Sequence, residues 1–397
     1  MKKNVLILLA ILFIIVLAAC GNQTSNPAES VSQTNAPTAN PAGQYNNEEK
    51  KPDINDEPTE PIIVTDALGR KVEVPAKIER IAALGNAQRL LVYLGLSDKV
   101  VGAAKNTGEN MSGITPVTPY AYINREIWSD LPTIGDGNSD DFYPEEIIAL
   151  QPDVIVCSTI SQEAVLAVQE QTGIPTVFVD TNTLFSEEYS EAFLILGETC
   201  GVKDRAQEIV DYINAAIADL HDRTKDIPDE SKPSALSAAA TFRGAHGIEG
   251  VRLKDSLLEA ISAYNVAASS FTGAASAEVD REQILLWNPD VIFCDYSGVQ
   301  LVQTDVKADS AFYEQLSAFN EGRMYQHPNN TSYYSNLELP VANAYFMGSV
   351  LFPEQFSDID IVQKINEVME FFLGVKDYYS ILEENGSGYG VISFEAN

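Results

Sequence analysis

The side chains able to do chemistry are few in this sequence, and most lie on loops. His246 follows Arg243 by three residues in Thr241-Phe-Arg-Gly-Ala-His-Gly247, which puts a guanidinium and an imidazole on one glycine-flanked loop. Such a pair can give charge-assisted hydrogen bonds to an anion. The competing reading is that His246 bonds its own loop. His327, before Pro328, is open to either role, and His221 lies on a helical stretch as a surface residue. Aromatic and amide groups crowd two other segments. Lys105 to Trp128 holds Tyr120 and Tyr122, and Met324 to Ser335 holds Asn329, Tyr333 and Tyr334. Asn86, Ser158, Asn182 and Tyr296 each stand just after a strand-like run. Aromatic walls with one or two cationic donors suit a bulky, partly apolar anion.

Catalysis has no comparable support. There is no Gly-x-Ser-x-Gly, Cys-x-x-Cys, His-Glu-x-x-His or Walker-type loop, and the acids are scattered rather than paired by motif. With three histidines and four cysteines, a bare metal ion is disfavoured and no metal ligands are assigned.

The elements that must position these residues show an internal repeat. Glu145-Glu-Ile-Ile-Ala-Leu-Gln-Pro-Asp-Val-Ile-Val-Cys157 is a near copy of Glu282-Gln-Ile-Leu-Leu-Trp-Asn-Pro-Asp-Val-Ile-Phe-Cys294. Each reads as a short helix opened by an acid, a Pro-Asp turn and a buried strand. Two copies at this separation imply two similar lobes. Between them, Val202 to Ile227 lacks glycine and proline and puts Ala206, Ile209, Ile213, Ala216, Ile217 and Leu220 on one face. Asp204 and Arg223 complement its dipole and Pro228 stops it. This is either a core helix or a strut of roughly 36 Å linking the lobes.

Strands and helices alternate on both sides of that helix. Ile62 to Pro75 is a hairpin turning at Leu68-Gly69, followed by strands at Arg80–Leu84, Val100–Ala104 and Pro175–Val179. Beyond it, Ala235–Ala240 is a strand and Ser256–Tyr264 a helix. Leu339–Leu351 and Ile361–Leu373 are closing helices, and residues 375–397 carry no assignment. The fold class is therefore α/β: two similar lobes with mainly parallel sheets joined by one long helix. The expected boundaries are 61–201, 202–227 and 228–397.

With 397 residues, two domains are the natural expectation. A formal charge of −32 excludes nucleic acid as a partner. Lys2 and Lys3 precede an apolar run from Val5 to Ala18, too short to span a bilayer, which marks residues 1–19 as a secretion signal. Residues 20–60 are rich in Asn, Ser, Thr, Pro and Glu and read as a flexible tether. Cys157, Cys200 and Cys294 are an odd set, and the first and last read as buried thiols.

Leu17-Ala-Ala-Cys20 resembles the bacterial lipobox, which implies cleavage before Cys20 and a lipid anchor there. With Val64-Thr-Asp-Ala-Leu-Gly-Arg-Lys-Val-Glu-Val-Pro75, Arg80-Ile81 and the Glu-x-Ile-x-Ala-Leu-x-Pro-Asp-Val-Ile unit, the chain resembles the substrate-binding lipoproteins of ABC importers for iron complexes. Those bind siderophores, haem or vitamin B12. The resemblance covers residues 60–373 and implies a monomer that is anchored outside the cytoplasmic membrane and serves an ABC permease. It also implies a ligand cleft between the lobes, at the carboxyl ends of the strands, as in other open α/β sheets. Arg243, His246, Asn86, Tyr120, Tyr122, Trp128, Tyr296, Asn329, Tyr333 and Tyr334 are then the candidate cleft residues. Glu145 and Glu282 are the expected docking residues for permease arginines, against the alternative of simple helix N-terminal acids. A ferric siderophore is the expected ligand. Haem remains open through Tyr120, Tyr334, His246 or Met111 as axial ligand, and a corrinoid by the same cleft. An adhesin or an extracellular enzyme on this scaffold is the competing class.

Overall fold

The computed structural model describes residues 60–105, 107–136, 140–270, 273–329 and 336–394. The secretion signal, Cys20, nearly all of the tether, Tyr333 and Tyr334 lie outside the described residues.

The expected hairpin opens the fold, with β1 (Ile62–Thr65) antiparallel to β2 (Lys71–Val74). Asp66 holds its turn by accepting from the Leu68 and Arg70 amides at 3.1 and 3.0 Å and pairing with the Arg70 guanidinium at 2.5 Å. The N-terminal lobe follows as β3 (Ile81–Gly85), α1 (Ala87–Tyr93), β4 (Val100–Ala103), α2 (Pro119–Ile123) and α3 (Arg125–Trp128). It continues through α4 (Pro144–Leu150), β5 (Val154–Ser158), α5 (Gln162–Thr172), β6 (Thr176–Val179) and α6 (Glu187–Cys200). Its parallel sheet has the order β4-β3-β5-β6. The segment expected as one long loop from Lys105 to Trp128 carries the short helices α2 and α3.

The linking helix is α7 (Lys203–Thr224), a little shorter than its Gly- and Pro-free window. Ala206, Ile209, Ile213, Ala216 and Leu220 are all buried along it, as their spacing requires. Its ends are tied down by arginines. Arg205 donates to the carbonyls of Tyr93 at 3.0 Å and Phe371 at 2.5 Å, and Arg223 pairs with Asp219 at 3.0 Å and Asp358 at 2.6 Å.

The C-terminal lobe runs through β7 (Ser234–Ala238), β8 (Gly250–Arg252), α8 (Ser256–Ala260), β9 (Tyr264–Asn265), β10 (Ser276–Glu278), α9 (Arg281–Trp287) and β11 (Val291–Asp295). Then come α10 (Tyr296–Ala308), α11 (Ser310–Tyr313), α12 (Ser317–Asn320), β12 (Met324–His327), α13 (Glu338–Leu351), α14 (Ile361–Leu373), α15 (Tyr378–Glu384) and β13 (Gly390–Val391). The sheet order is β13-β12-β11-β7-β9, parallel except for β13. The unassigned tail thus supplies a helix and an antiparallel edge strand. The helix expected over Ser256–Tyr264 stops at Ala260, and Tyr264 starts β9 instead.

Side-chain alternation explains the layering. On β3 and β5, Ile81, Ala83, Val154 and Val156 face a central core, while Ala82, Leu84, Ile155 and Cys157 face α4 and α5. On β7 and β11, Ala235, Val291 and Phe293 face the same central core, and Leu236, Ala238, Ile292 and Cys294 face α9 and α10. Leu90, Leu196, Ile209, Leu339 and Phe372 fill the middle from α1, α6, α7, α13 and α14. One apolar layer therefore runs between the two sheets, each such side chain contributing about 1.5–3 kcal/mol on burial.

The repeated units are equivalent in detail. Asp153 accepts from the Glu79 and Arg80 amides at 2.7 and 2.8 Å, and Asp290 accepts from the Ser234 amide at 2.7 Å. Each Pro-Asp turn so braces the start of the neighbouring strand, β3 or β7. Gln151 and Asn288 close the two helices in the left-handed conformation.

Candidate ligand cleft

In the N-terminal lobe β3 and β5 both run into left-handed backbone at their carboxyl ends. Gly85 takes φ +64, and a Cβ there would stand 1.7 Å from the Ser158 carbonyl oxygen. Thr159 at φ 63 and, in the other lobe, Ala239 at φ 49 hold the same costly region just after β5 and β7. Strain of this kind collects at binding sites.

The first turn of α1 begins at this edge, and Asn86, Gln88 and Arg89 are all fully buried there. Asn86 Nδ2 donates to Thr159 Oγ1 at 3.1 Å, and Gln88 Nε2 to the Lys105 carbonyl at 3.1 Å. Arg89 Nη2 donates to Thr181 Oγ1 at 3.0 Å, and that hydroxyl lies 2.7 Å from Ser158 Oγ. The carboxyl ends of β3, β5 and β6 are thus joined by hydroxyls and amides around one buried cation.

The opposing edge belongs to β11 and β12. Asp295 accepts from Arg252 Nη2 at 2.6 Å and the Thr241 amide at 2.7 Å. His327 is buried 3.2 Å from Asn343 Nδ2; burial depresses its pKa against the pull of Asp295. Asn329 accepts from the Ser297 amide at 3.0 Å and donates to Ser297 Oγ at 2.6 Å. Tyr296 begins α10 beside them, its hydroxyl 3.5 Å from the Asn385 carbonyl.

The edges meet through α13, whose first residue is Glu338. Its carboxylate accepts from the Tyr93 hydroxyl, and the Leu337 amide donates to the same hydroxyl at 3.2 Å. Burial pushes the Glu338 carboxyl up to about 7, with the Tyr93 bond and the Arg89 charge opposing. Beside α7, a crevice between the lobes is lined by Thr183, Phe185, His221, Lys254, Ser256 and Glu259.

A family model for periplasmic binding protein matches residues 81–331. The chain belongs to that family. A curated relative of this chain is named as an ABC transporter substrate-binding lipoprotein. The chain is 22% identical over 334 residues to the molybdate-binding protein MolA of Haemophilus influenzae, covering 78% of this chain and 90% of that protein. It is 25% identical over 269 residues to the ABC transporter substrate-binding lipoprotein YvrC of Bacillus subtilis, covering 67% and 77%. Among solved structures, a periplasmic solute binding protein from Veillonella parvula superposes with a TM-score of 0.65 at 19% identity, covering 81% of this chain and 96% of that one. The molybdate-bound MolA structure superposes at 0.60 and 22%, covering 79% and 98%. These structures agree on the fold.

The residues singled out from sequence fall into different settings. Asn86, Ser158, Tyr296 and Asn329 stand at the strand ends. Tyr120 and Trp128 lie inside the core, 6.3 Å apart ring to ring, with 0% and 1% exposure. Tyr122 packs edge-on against Tyr378 at 6.5 Å and under Arg125 at 4.2 Å. His246 is held by its own surroundings: Nε2 lies 2.7 Å from the Phe242 carbonyl, Nδ1 3.0 Å from Glu278, and the ring stacks on Phe242 at 4.0 Å. Of the two sequence readings, this geometry is that of the loop bond. Arg243 is exposed with φ 51 and pairs with no described residue. Asn182 is exposed too. Glu145 and Glu282 stand exposed in the first turns of α4 and α9.

Sequence reasoning missed Gln88, Arg89, Thr181 and Glu338. A signal existed for the first two. Gly85-Asn-Ala-Gln-Arg89 puts three polar residues directly after a buried strand, where an amphipathic helix would ordinarily begin with its apolar face.

Proposed function

We propose that the protein captures an anionic metal complex, a ferric siderophore first among them, in the cleft between its lobes and passes it to an ABC permease. The observation that carries this reading is Arg89. A cation held at the carboxyl edge of a parallel sheet, among the hydroxyls of Ser158 and Thr181, is suited to a negatively charged ligand. Tyr296 and Asn329 would face the ligand from the other lobe, and Arg243, on its exposed loop, would close over it.

Delivery would use Glu145 and Glu282. Tyr143 and Ile148 are exposed beside the first and Leu286 beside the second, so each acid has apolar surface next to it. A carboxylate with an apolar surround fits a permease arginine better than either feature alone. The lipobox at Cys20 supports anchoring on the extracytoplasmic side of the membrane, and the protein would act there as a monomer.

A second reading is a bare oxyanion, favoured by the likeness to MolA along nine-tenths of that protein's length. Haem stands behind these because His246 is bonded on both nitrogens, which leaves Met111 and Tyr334, the latter outside the described residues, as its remaining loop candidates. Calorimetric titration of the full chain with a ferric triscatecholate, a ferric trihydroxamate, haem, cobalamin and molybdate separates these. Saturable binding of one ferric chelate supports the proposal. Preference for molybdate selects the second reading, and binding of none returns the adhesin class.

A further inference from the structure

Among the buried side-chain oxygens of the described residues that accept no hydrogen bond, two lie together at the carboxyl end of β3. They are Asn86 Oδ1 and Gln88 Oε1, in residues with 0% exposure. Their orientation is set by their neighbours. Thr159 Oγ1 donates to the Ser158 carbonyl at 2.6 Å, so toward Asn86 it can only accept, and Asn86 must turn its NH₂ group to it. The Lys105 carbonyl likewise only accepts, so Gln88 must present its NH₂ group there. Neither amide can flip to relieve its oxygen. A buried acceptor without a donor costs about 1–3 kcal/mol, and native proteins hold few of them. Here two fall on adjacent sides of β3, one toward β5 and one toward β4, within about 10 Å by strand spacing.

We propose that Asn86 and Gln88 form an acceptor subsite that selects a chelate carrying N–H or O–H donors beside its negative charge. The inference rests on the cleft reading above and narrows its ligand. A ligand with donors on one side and negative charge on the other satisfies both amide oxygens while its charge meets Arg89. A fully ionised oxyanion has only acceptors and would set oxygen against oxygen at both positions.

The test compares two probes on the full chain by calorimetry: a ferric triscatecholate with amide N–H groups, and the same chelate with those groups N-methylated. The expected result is about tenfold weaker binding of the methylated chelate, the equivalent of about 1.4 kcal/mol. In Gln88→Met the gap should shrink to about threefold or less, while ligand-free unfolding still reports a cooperative fold. Equal binding of the two chelates to the native chain overturns the subsite and leaves the cleft reading standing. Failure of both chelates to bind overturns both. The comparison in the native chain needs no variant, so a poorly folding substitution cannot obscure it.

Discussion

The Tyr93 hydroxyl donates to the Glu338 carboxylate across the boundary between the lobes, with both side chains buried. Tyr93 lies on α1, which starts at the end of β3, and Glu338 opens α13, eleven residues beyond the end of β12. This bond, with that of the Leu337 amide to the same hydroxyl, therefore ties the two strand edges that frame the proposed cleft. Arg89, one turn before Tyr93 on α1, adds its charge to the same neighbourhood.

A pH dependence of stability follows from Glu338. Burial raises its carboxyl from 4.5 to about 7, so the folded chain holds this proton more tightly than the unfolded chain. Its contribution is fully present below about 4.5 and is lost as pH rises through about 7. The loss amounts to about 3 kcal/mol at 1.36 kcal/mol per unit. Denaturant unfolding of the native chain and Glu338→Gln at pH 5 and pH 8 should show a gap that shifts toward the variant by an amount of this order. Parallel pH profiles would contradict it.

Gly85 is required by the close approach of Ser158. Gly85→Ala must relieve a contact with a backbone oxygen at 1.7 Å as well as hold φ +64, and should cost more than about 3 kcal/mol. Gly69 also has positive φ but open space around it, so Gly69→Ala should cost only about 1 kcal/mol. Similar midpoints for the two variants in urea would refute this account of the strand edge.

Glu145 and Glu282 are exposed, so reversing both to Lys should leave unfolding within about 0.5 kcal/mol of the native chain. Chelate affinity should also stay within about twofold, well under 1 kcal/mol. Uptake by cells should nevertheless fall to background. Unaltered uptake would remove the docking role and favour an adhesin.

Replacing Arg89 with Met deletes the buried cation and its bond to Thr181. Losing a hydrogen bond to a charged group costs about 1.5–3 kcal/mol, so affinity for an anionic chelate should fall about tenfold to a hundredfold. A net-neutral chelate should lose much less. Equal losses for both would make Arg89 a structural residue.

The lobes, their parallel strands and the linking helix were legible because each leaves a periodic trace. The repeated Glu-to-Cys units, the one-faced apolar spacing of Ile209 and Ile213, and the Pro-Asp turns are local signals. Cleft chemistry leaves none. Tyr120 and Trp128 read as loop aromatics because the helices that tuck them inward are only five and four residues long. Glu338 stands just ahead of the closing helix expected from Leu339 and drew no role, because its partner Tyr93 is 245 positions away. Arg89 drew no role from the sequence, because its partner is Thr181, 92 positions on. Only the fold brings such pairs together.

The most direct measurement of the central claim is amide hydrogen exchange of the full chain, free and saturated with the ferric chelate it binds. The proposed site requires protection at both edges: Gly85–Arg89 and Ser158–Thr159 in one lobe, Asp295–Ser297 and Asn329 in the other. Protection confined to one lobe, or to the first turns of α4 and α9, would contradict capture between the lobes.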